Sequence, residues 1–154
     1  MKTKIYSLMI GIAVLCVGLL CWYCSPVARQ TPKDLAFEFL AKTIHEGDPC
    51  SRVEVLFVDR PTDRWRRIGA GLNIKVSDLS GFVSERRTNV IREKGTGRLG
   101  AVLYIRGDER ATSNGDVEIR CGYSKNGEDA ADYIALFQKR YWRWTSRFEL
   151  QSRS

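Results

Sequence analysis

The chain has 154 residues, 44% of them hydrophobic, and a formal charge of +7 from 25 Lys and Arg against 18 Asp and Glu. This apolar content excludes a wholly disordered chain, and the single histidine excludes zinc sites built on two or three histidines. The basic surplus favours anionic partners, such as anionic lipid or acidic glycans.

The amino-terminal segment predicts a membrane anchor. Residues 5–24 form an uninterrupted run of 20 residues without a charge, and a helix of that length spans about 30 Å, the thickness of a bilayer's hydrocarbon core. Lys2 and Lys4 precede the run with no acid between them, which favours a cytoplasmic amino terminus. We therefore expect residues 1–24 to form a cytoplasmic tail and an uncleaved single-pass anchor in the inner or plasma membrane.

Two other routes of processing stay open for this segment. Cleavage as a signal peptide requires a small-x-small pattern directly before the cut. The chain matches this pattern only poorly, at a site that would be cut after Ala28. Lipid attachment at Cys16, Cys21 or Cys24 requires a small residue directly before the cysteine, where this chain has Leu or Tyr. Each route places the remainder of the chain outside the cytoplasm, in the periplasm of a Gram-negative cell or otherwise in a lumen or the cell exterior.

The rest of the chain reads as a linker, residues 25–32, and one extracytoplasmic domain, residues 33–154, which is long enough for a single core. Cys50 and Cys121 are the only cysteines in the domain, an even count that is compatible with one disulfide in an oxidising compartment. Two buried free thiols are the alternative. Nucleic acid is not an expected partner in that compartment.

The first predicted element of the domain is a helix. Thr31 suits the N-cap, Pro32 the first turn and Asp34 the positive end of the helix dipole. Gly47 ends the helix. Apolar side chains recur at intervals of three and four residues and form one face, which consists of Leu35, Ala36, Phe39, Leu40 and Ile44.

Strand composition and turn residues dominate the remainder. The predicted strands are residues 52–59, 82–93, 99–107, 115–124, 131–137 and 141–150. Residues 60–81 are mixed and hold a short helix around 64–68, and residues 128–140 are compatible with a helix as well as a strand. In the last strand, alternation turns one set of side chains inward, namely Trp142, Trp144, Phe148 and Leu150.

The two ends of the domain resemble the cystatin-like cone of the nuclear-transport-factor superfamily. The residues concerned are PKDLAFEFLAKTIHEGD, 32–48, and YIALFQKRYWRWTSRFEL, 133–150. The resemblance implies a bent antiparallel sheet that wraps around an amino-terminal helix, a shape that many exported assembly or docking subunits have. The predicted fold class is α+β: a transmembrane helix, then one helix packed on a curved antiparallel sheet of about five to six strands.

No residue pattern in the sequence indicates an enzyme, a cofactor site or a metal site. Residues 95–100, GTGRLG, fit the dinucleotide-binding glycine pattern, but they lead into a predicted strand and not a helix, so a hairpin turn explains them better. His45 lies in the last turn of the predicted helix, where an imidazole suits the exposed carbonyls. We therefore assign no catalytic, cofactor-binding or metal-ligating residue and expect no enzymatic activity.

A basic and aromatic cluster is the candidate contact site. Arg64, Trp65, Arg66 and Arg67 combine the residue types that supply most of the affinity in protein interfaces, and Trp65 is expected to face outward. The sequence favours a membrane-tethered docking or assembly domain with a protein partner or a second copy of itself. The alternative is a domain that binds a small apolar or anionic ligand, which requires a cavity of a few hundred Å³ with convergent polar groups.

Overall fold

The computed structural model of the protein describes residues 30–47, 52–85, 89–107, 115–126, 129–140 and 143–153, together with Val14 and Cys16. Their elements are, in chain order, α1 (Pro32–His45), β1 (Val55–Val58), α2 (Asp63–Gly71), β2 (Lys75–Asp78), a 3₁₀ turn (Leu79–Gly81), β3 (Phe82–Ser84), β4 (Ile91–Glu93), β5 (Gly100–Arg106), β6 (Val117–Asn126), β7 (Asp129–Arg140) and β8 (Arg143–Arg153).

Six strands form one curved sheet in the order β2-β1-β5-β6-β7-β8, and β3 pairs with β4 in a separate hairpin. The predicted α+β class is confirmed, but the prediction of a purely antiparallel sheet was wrong. Strand β1 runs parallel to both of its neighbours, β2 and β5, whereas β5 to β8 form an antiparallel meander. The sheet is therefore mixed.

The parallel pairing follows from the segment between β1 and β2. Parallel neighbours need a crossover that returns the chain to the same end of the sheet, usually through a helix. The short helix that the sequence predicted around residues 64–68 is α2, and it provides that crossover. Thr62 caps the amino end of α2. Just after the carboxyl end of α2, Asn73 has a φ of 57° and turns the chain into β2.

The core lies mainly between α1 and one face of the sheet. The apolar face of α1 packs there against strands β5, β6 and β7, as predicted for the first helix. Strand β1 is buried on both faces: Leu56 and Val58 join this main cluster, whereas Val55 and Phe57 join a smaller one beneath the β3–β4 hairpin. Buried parallel strands commonly read as such continuous apolar runs.

Three local expectations can be compared with the structure. Residues 82–93 do not form one strand but the β3–β4 hairpin, in which Phe82 pairs with Glu93 and Ser84 with Ile91 in antiparallel register. The GTGRLG segment is a turn that leads into β5, with Gly95 and Gly97 at positive φ. Residues 129–140 are a strand, β7.

The predicted anchor, residues 1–24, lies outside the described residues apart from Val14 and Cys16. In the part of the chain that is described, no helix is long and apolar enough to span a membrane.

Candidate functional site

A half-open cleft of about 1000 Å³ lies where the parallel strands β1 and β5 run toward their carboxyl ends. In open sheets with parallel strands, this edge is where ligands commonly bind, because the chain leaves the sheet there in loops. The loop after β1, the amino ends of both helices and the last residues of β5 form the walls. The mixed topology thus creates a site that a purely antiparallel sheet would not contain.

Both helices point their amino ends at the cleft. Thr31 caps α1 in a capping box: its hydroxyl accepts a hydrogen bond from the Asp34 N–H at 3.2 Å, and Asp34 accepts one from the Thr31 N–H at 3.0 Å. The hydroxyl of Thr62 caps α2 and accepts a hydrogen bond from the Trp65 N–H at 3.2 Å. Helix amino ends carry positive partial charge, so both helices add to an electropositive cleft.

Positive side chains outnumber negative ones in the walls of the cleft. The cations that line it are Lys33, Arg60, Arg64, Arg67 and Arg106, and the carboxylates are Asp34 and Asp59. Lys33 and Arg64 are half-buried and the other three cations are exposed. Lys33, Arg60, Arg67 and Arg106 form no ion pair with any carboxylate in the described part of the chain.

The carboxylate of Asp34 is paired with other groups of the protein. It is buried, and its Oδ1 accepts a hydrogen bond from the indole N–H of Trp65 at 2.9 Å. Its Oδ2 lies 3.7 Å from the Nε of Arg64 and accepts the capping hydrogen bond from Thr31. Asp34 therefore fixes α1 against α2, and it leaves the unpaired cations of the cleft unneutralised.

Helix α2 divides the predicted contact cluster into three environments. Arg64 and Arg67, three residues apart, lie on the side of the helix that lines the cleft. Arg66 is exposed away from the cleft, and its Nη1 pairs with Asp63 at 2.9 Å. Trp65, which was expected to face outward, is only 8% exposed and stacks on Phe37 with ring centroids 4.9 Å apart. Three of the four residues, Arg64, Trp65 and Arg67, thus line the cleft and Arg66 does not, and their role as a contact patch stays a prediction.

The loop after β1 is held in an unusual conformation at the cleft. Arg60 has φ of 51°, in the left-handed region, although it precedes a proline, a position that favours extended backbone. Across the loop, Asp78 at the end of β2 accepts a hydrogen bond from the Ser80 N–H at 3.0 Å. Hydrogen bonds from Ser80, and to a lesser extent from the Arg60 backbone N–H, lower the pKa of Asp78.

The other residues that the sequence singled out lie away from the cleft. Cys121 is buried on β6 and forms no disulfide with a described residue, and burial raises the pKa of its thiol to about 12. Cys50, its predicted partner, lies outside the described residues, so the disulfide stays a prediction. His45 is exposed at the end of α1. Among the described residues, no group of three or more His, Cys, Asp or Glu is arranged to hold a metal ion.

Sequence reasoning found Arg64 and Arg67 but missed three further cations of the cleft, namely Lys33, Arg60 and Arg106. These residues are far apart in the chain: Lys33 lies in the first turn of α1, whereas Arg60 follows β1 and Arg106 ends β5, and the parallel pairing of β1 with β5 brings the last two together. The available signal was the order strand, Arg-Pro-Thr-Asp loop, helix, strand over residues 55–78, which is typical of a parallel crossover unit.

Comparisons of the chain with protein-family models, with curated proteins and with solved structures find no match. The chemistry of the cleft is therefore the basis for a functional assignment: its described walls contain five cations, two helix amino ends and two carboxylates, of which Asp34 is already paired within the protein.

Proposed function

We propose that this domain binds an anionic ligand in the basic cleft at the carboxyl ends of β1 and β5. The observation that carries the proposal is the set of four cations in the cleft that lack a described carboxylate partner. Like charges gathered in one concavity repel one another, and a bound anion relieves that repulsion. The nearby helix amino ends favour the same sign of ligand charge.

The size of the cleft favours a ligand larger than a single inorganic ion. Sites for small molecules usually measure about 300–1000 Å³, and the cleft lies at the upper end of that range. Tyr104 and Leu79 add an aromatic and an aliphatic surface to its walls. An elongated anion with an organic body fits this combination better than a phosphate ion alone.

The alternative of a flat docking surface built on the 64–67 cluster has less support. Such a surface depends on an exposed aromatic anchor, and Trp65 is committed to Phe37 and Asp34 in the interior. Of the three arginines on this helix, Arg64 and Arg67 belong to the cleft, whereas the exposed Arg66 pairs with Asp63 outside it. The positions of these residues therefore support ligand binding in the cleft better than they support a flat docking surface.

We further propose that the domain works on the outer face of a membrane, tethered by the uncharged run of residues 5–24. The length of the run and the two preceding lysines support this placement. The test is the intact mass of the protein purified from membranes. A full-length mass is expected, and a mass that begins after Ala28 would contradict an uncleaved tether.

Calorimetric titration with pyrophosphate and with citrate at low ionic strength tests the binding proposal. Replacement of one contacting cation removes a charge-assisted interaction of about 1.5–3 kcal/mol, so Arg67→Gln and Arg106→Gln should each weaken binding by about 10- to 100-fold. Added salt should weaken binding as well.

Arg66→Gln is the matched control, since it makes the same replacement on the same helix outside the cleft. We expect this variant to bind as tightly as the wild type. Equal losses of affinity from the cleft variants and from Arg66→Gln would contradict the site, because binding would then depend only on the net charge of the domain. Absence of binding of either anion would contradict the proposal for small polyanions.

A further inference from the structure

Strand β5 continues past the end of its parallel neighbour. The pairing of β1 with β5 ends at Phe57 and Val102, whereas β5 runs four residues further, to Arg106. On its other side, β5 stays paired with β6 up to Arg106 and Arg120. The Phe57–Val102 pair in this register uses the Leu103 N–H, so the open edge begins at the Leu103 carbonyl and continues with the N–H and carbonyl of Ile105. Within the described part of the chain, no strand pairs with these groups, and this edge lines the cleft.

The direction of the main-chain groups on that edge follows from the register. The Leu99 carbonyl accepts hydrogen bonds from the N–H groups of Glu54 and Val55, at 2.9 and 3.2 Å, so it points toward β1. Since main-chain groups alternate along a strand, those of residues 101, 103 and 105 point the same way. The side chains of Leu103 and Ile105 meanwhile pack in the core on the α1 side. The main-chain groups of Leu103 and Ile105 therefore lie along the edge beside the cleft, and their side chains lie on its α1 side.

Basic side chains lie on both sides of this open edge. Lys33, Arg64 and Arg67 come from the helices on the α1 side of the sheet. Arg106 has the opposite parity to Ile105 and so projects from the other face, where its guanidinium lies 5.8 Å from the centre of the Tyr104 ring. A strand seated against β5 would present side chains to both of these basic regions alternately.

We propose that the ligand of the cleft is an extended acidic peptide segment that adds to the open edge of β5 as a short strand. This inference rests on the proposed anion-binding function and names its ligand class. Main-chain hydrogen bonds to the edge provide affinity, and acidic side chains provide charge complementarity to the cations. Four residues of strand span about 13 Å. A small anion neutralises the cations but leaves the strand edge unpaired.

The test uses a blocked peptide of three Glu-Thr repeats as the probe. Three of the cations lie on the α1 side of the sheet. We therefore expect the glutamate side chains of the bound peptide to face that side and the threonine side chains to face the other. Two derivatives carry N-methyl groups on alternate amides, one on the glutamates and the other on the threonines. Affinity is measured by calorimetry, and protection of the Ile105 amide by hydrogen exchange.

We expect micromolar or weaker binding of the parent peptide, at least a tenfold loss for one methylated derivative, and a change below threefold for the other. Protection of the Ile105 amide should accompany binding. A Gln-Thr peptide of the same length should bind at least tenfold more weakly than the parent, and Arg106→Gln should weaken binding of the parent whereas Arg66→Gln should not.

The outcomes separate this inference from the proposed function. If the acidic peptide binds but neither methylated derivative loses affinity, charge alone holds it, so strand addition is wrong and anion binding stands. If pyrophosphate or anionic lipid vesicles bind and the peptide does not, the peptide is the wrong ligand class. If none of these probes binds, both proposals fail.

Discussion

Replacement of Trp65 by phenylalanine tests the contact that fixes the base of the cleft. The substitution keeps an aromatic ring to stack on Phe37 but removes the indole N–H that donates to Asp34 at 2.9 Å. Asp34 is 7% exposed, so water compensates little for the lost donor. Hydrogen bonds to charged groups contribute about 1.5–3 kcal/mol. We therefore expect the free energy of unfolding to fall by about 2 kcal/mol, and Tm to fall by roughly 8 °C for a domain of this size.

Urea denaturation followed by far-UV circular dichroism measures this loss without relying on tryptophan fluorescence. Trp144→Phe is the matched control, since Trp144 is half-buried on β8 and its indole donates no hydrogen bond to a described residue. We expect its cost to stay below about 1 kcal/mol. A double-mutant cycle with Asp34→Ala should give a coupling energy of about 1 kcal/mol or more. A coupling near zero would refute the role assigned to this hydrogen bond.

Two further predictions concern the packing of α2 and the attachment of the β3–β4 hairpin. Gly69→Ala would place a Cβ 2.7 Å from the Ile74 carbonyl oxygen, so thermal denaturation should show that the free energy of unfolding falls by about 1–3 kcal/mol. Gly71→Ala is the control in the same helix: its Cβ would meet no atom within 4 Å, so the variant should be as stable as the wild type or more stable by up to about 1 kcal/mol. Hydrogen bonds to Glu93, from Lys75 and then Thr96, lower its pKa below 4.5 in the folded protein. Their stabilisation is thus complete above the unfolded-state value and is lost as the pH falls through the folded-state value. Glu93→Gln should therefore be less stable than the wild type at pH 7, and the two proteins' urea midpoints should converge below pH 4.5; a constant difference down to pH 3 would contradict this.

The first helix could be predicted from the sequence because its signals are local. The cap at Thr31, the proline that follows it and the spacing of the apolar side chains all lie within one segment, and all appear in the structure. The strands β5 to β8 were predictable for the same reason, since strand composition and turn residues mark them, although Leu150, expected on the buried face of the last strand, is 54% exposed. Local signals do not specify strand direction, however, so the parallel pairing of β1 was missed.

The orientation of Trp65 was predictable in principle. Its charged neighbours suggested an exposed position, but Trp65, Ile68, Gly69 and Leu72 recur at helical spacing and form the apolar face of α2. Once the helix around residues 64–68 was predicted, this period should have outweighed the adjacent charges. The same period places Arg64 and Arg67 together on the cleft side.

The cleft is where the chain departs from the local rules that the rest of it follows. Among the described residues, the non-glycine residues with positive φ are two asparagines, which tolerate that conformation, and Arg60, which does not. A strained residue of this kind costs on the order of 1–3 kcal/mol and persists only where its surroundings hold it. Arg60 also adds its charge to a set of cations that lack described carboxylate partners. Backbone strain and charge repulsion thus occur at one place, beside an unpaired strand edge, and a bound acidic strand would relieve the repulsion and pair the edge.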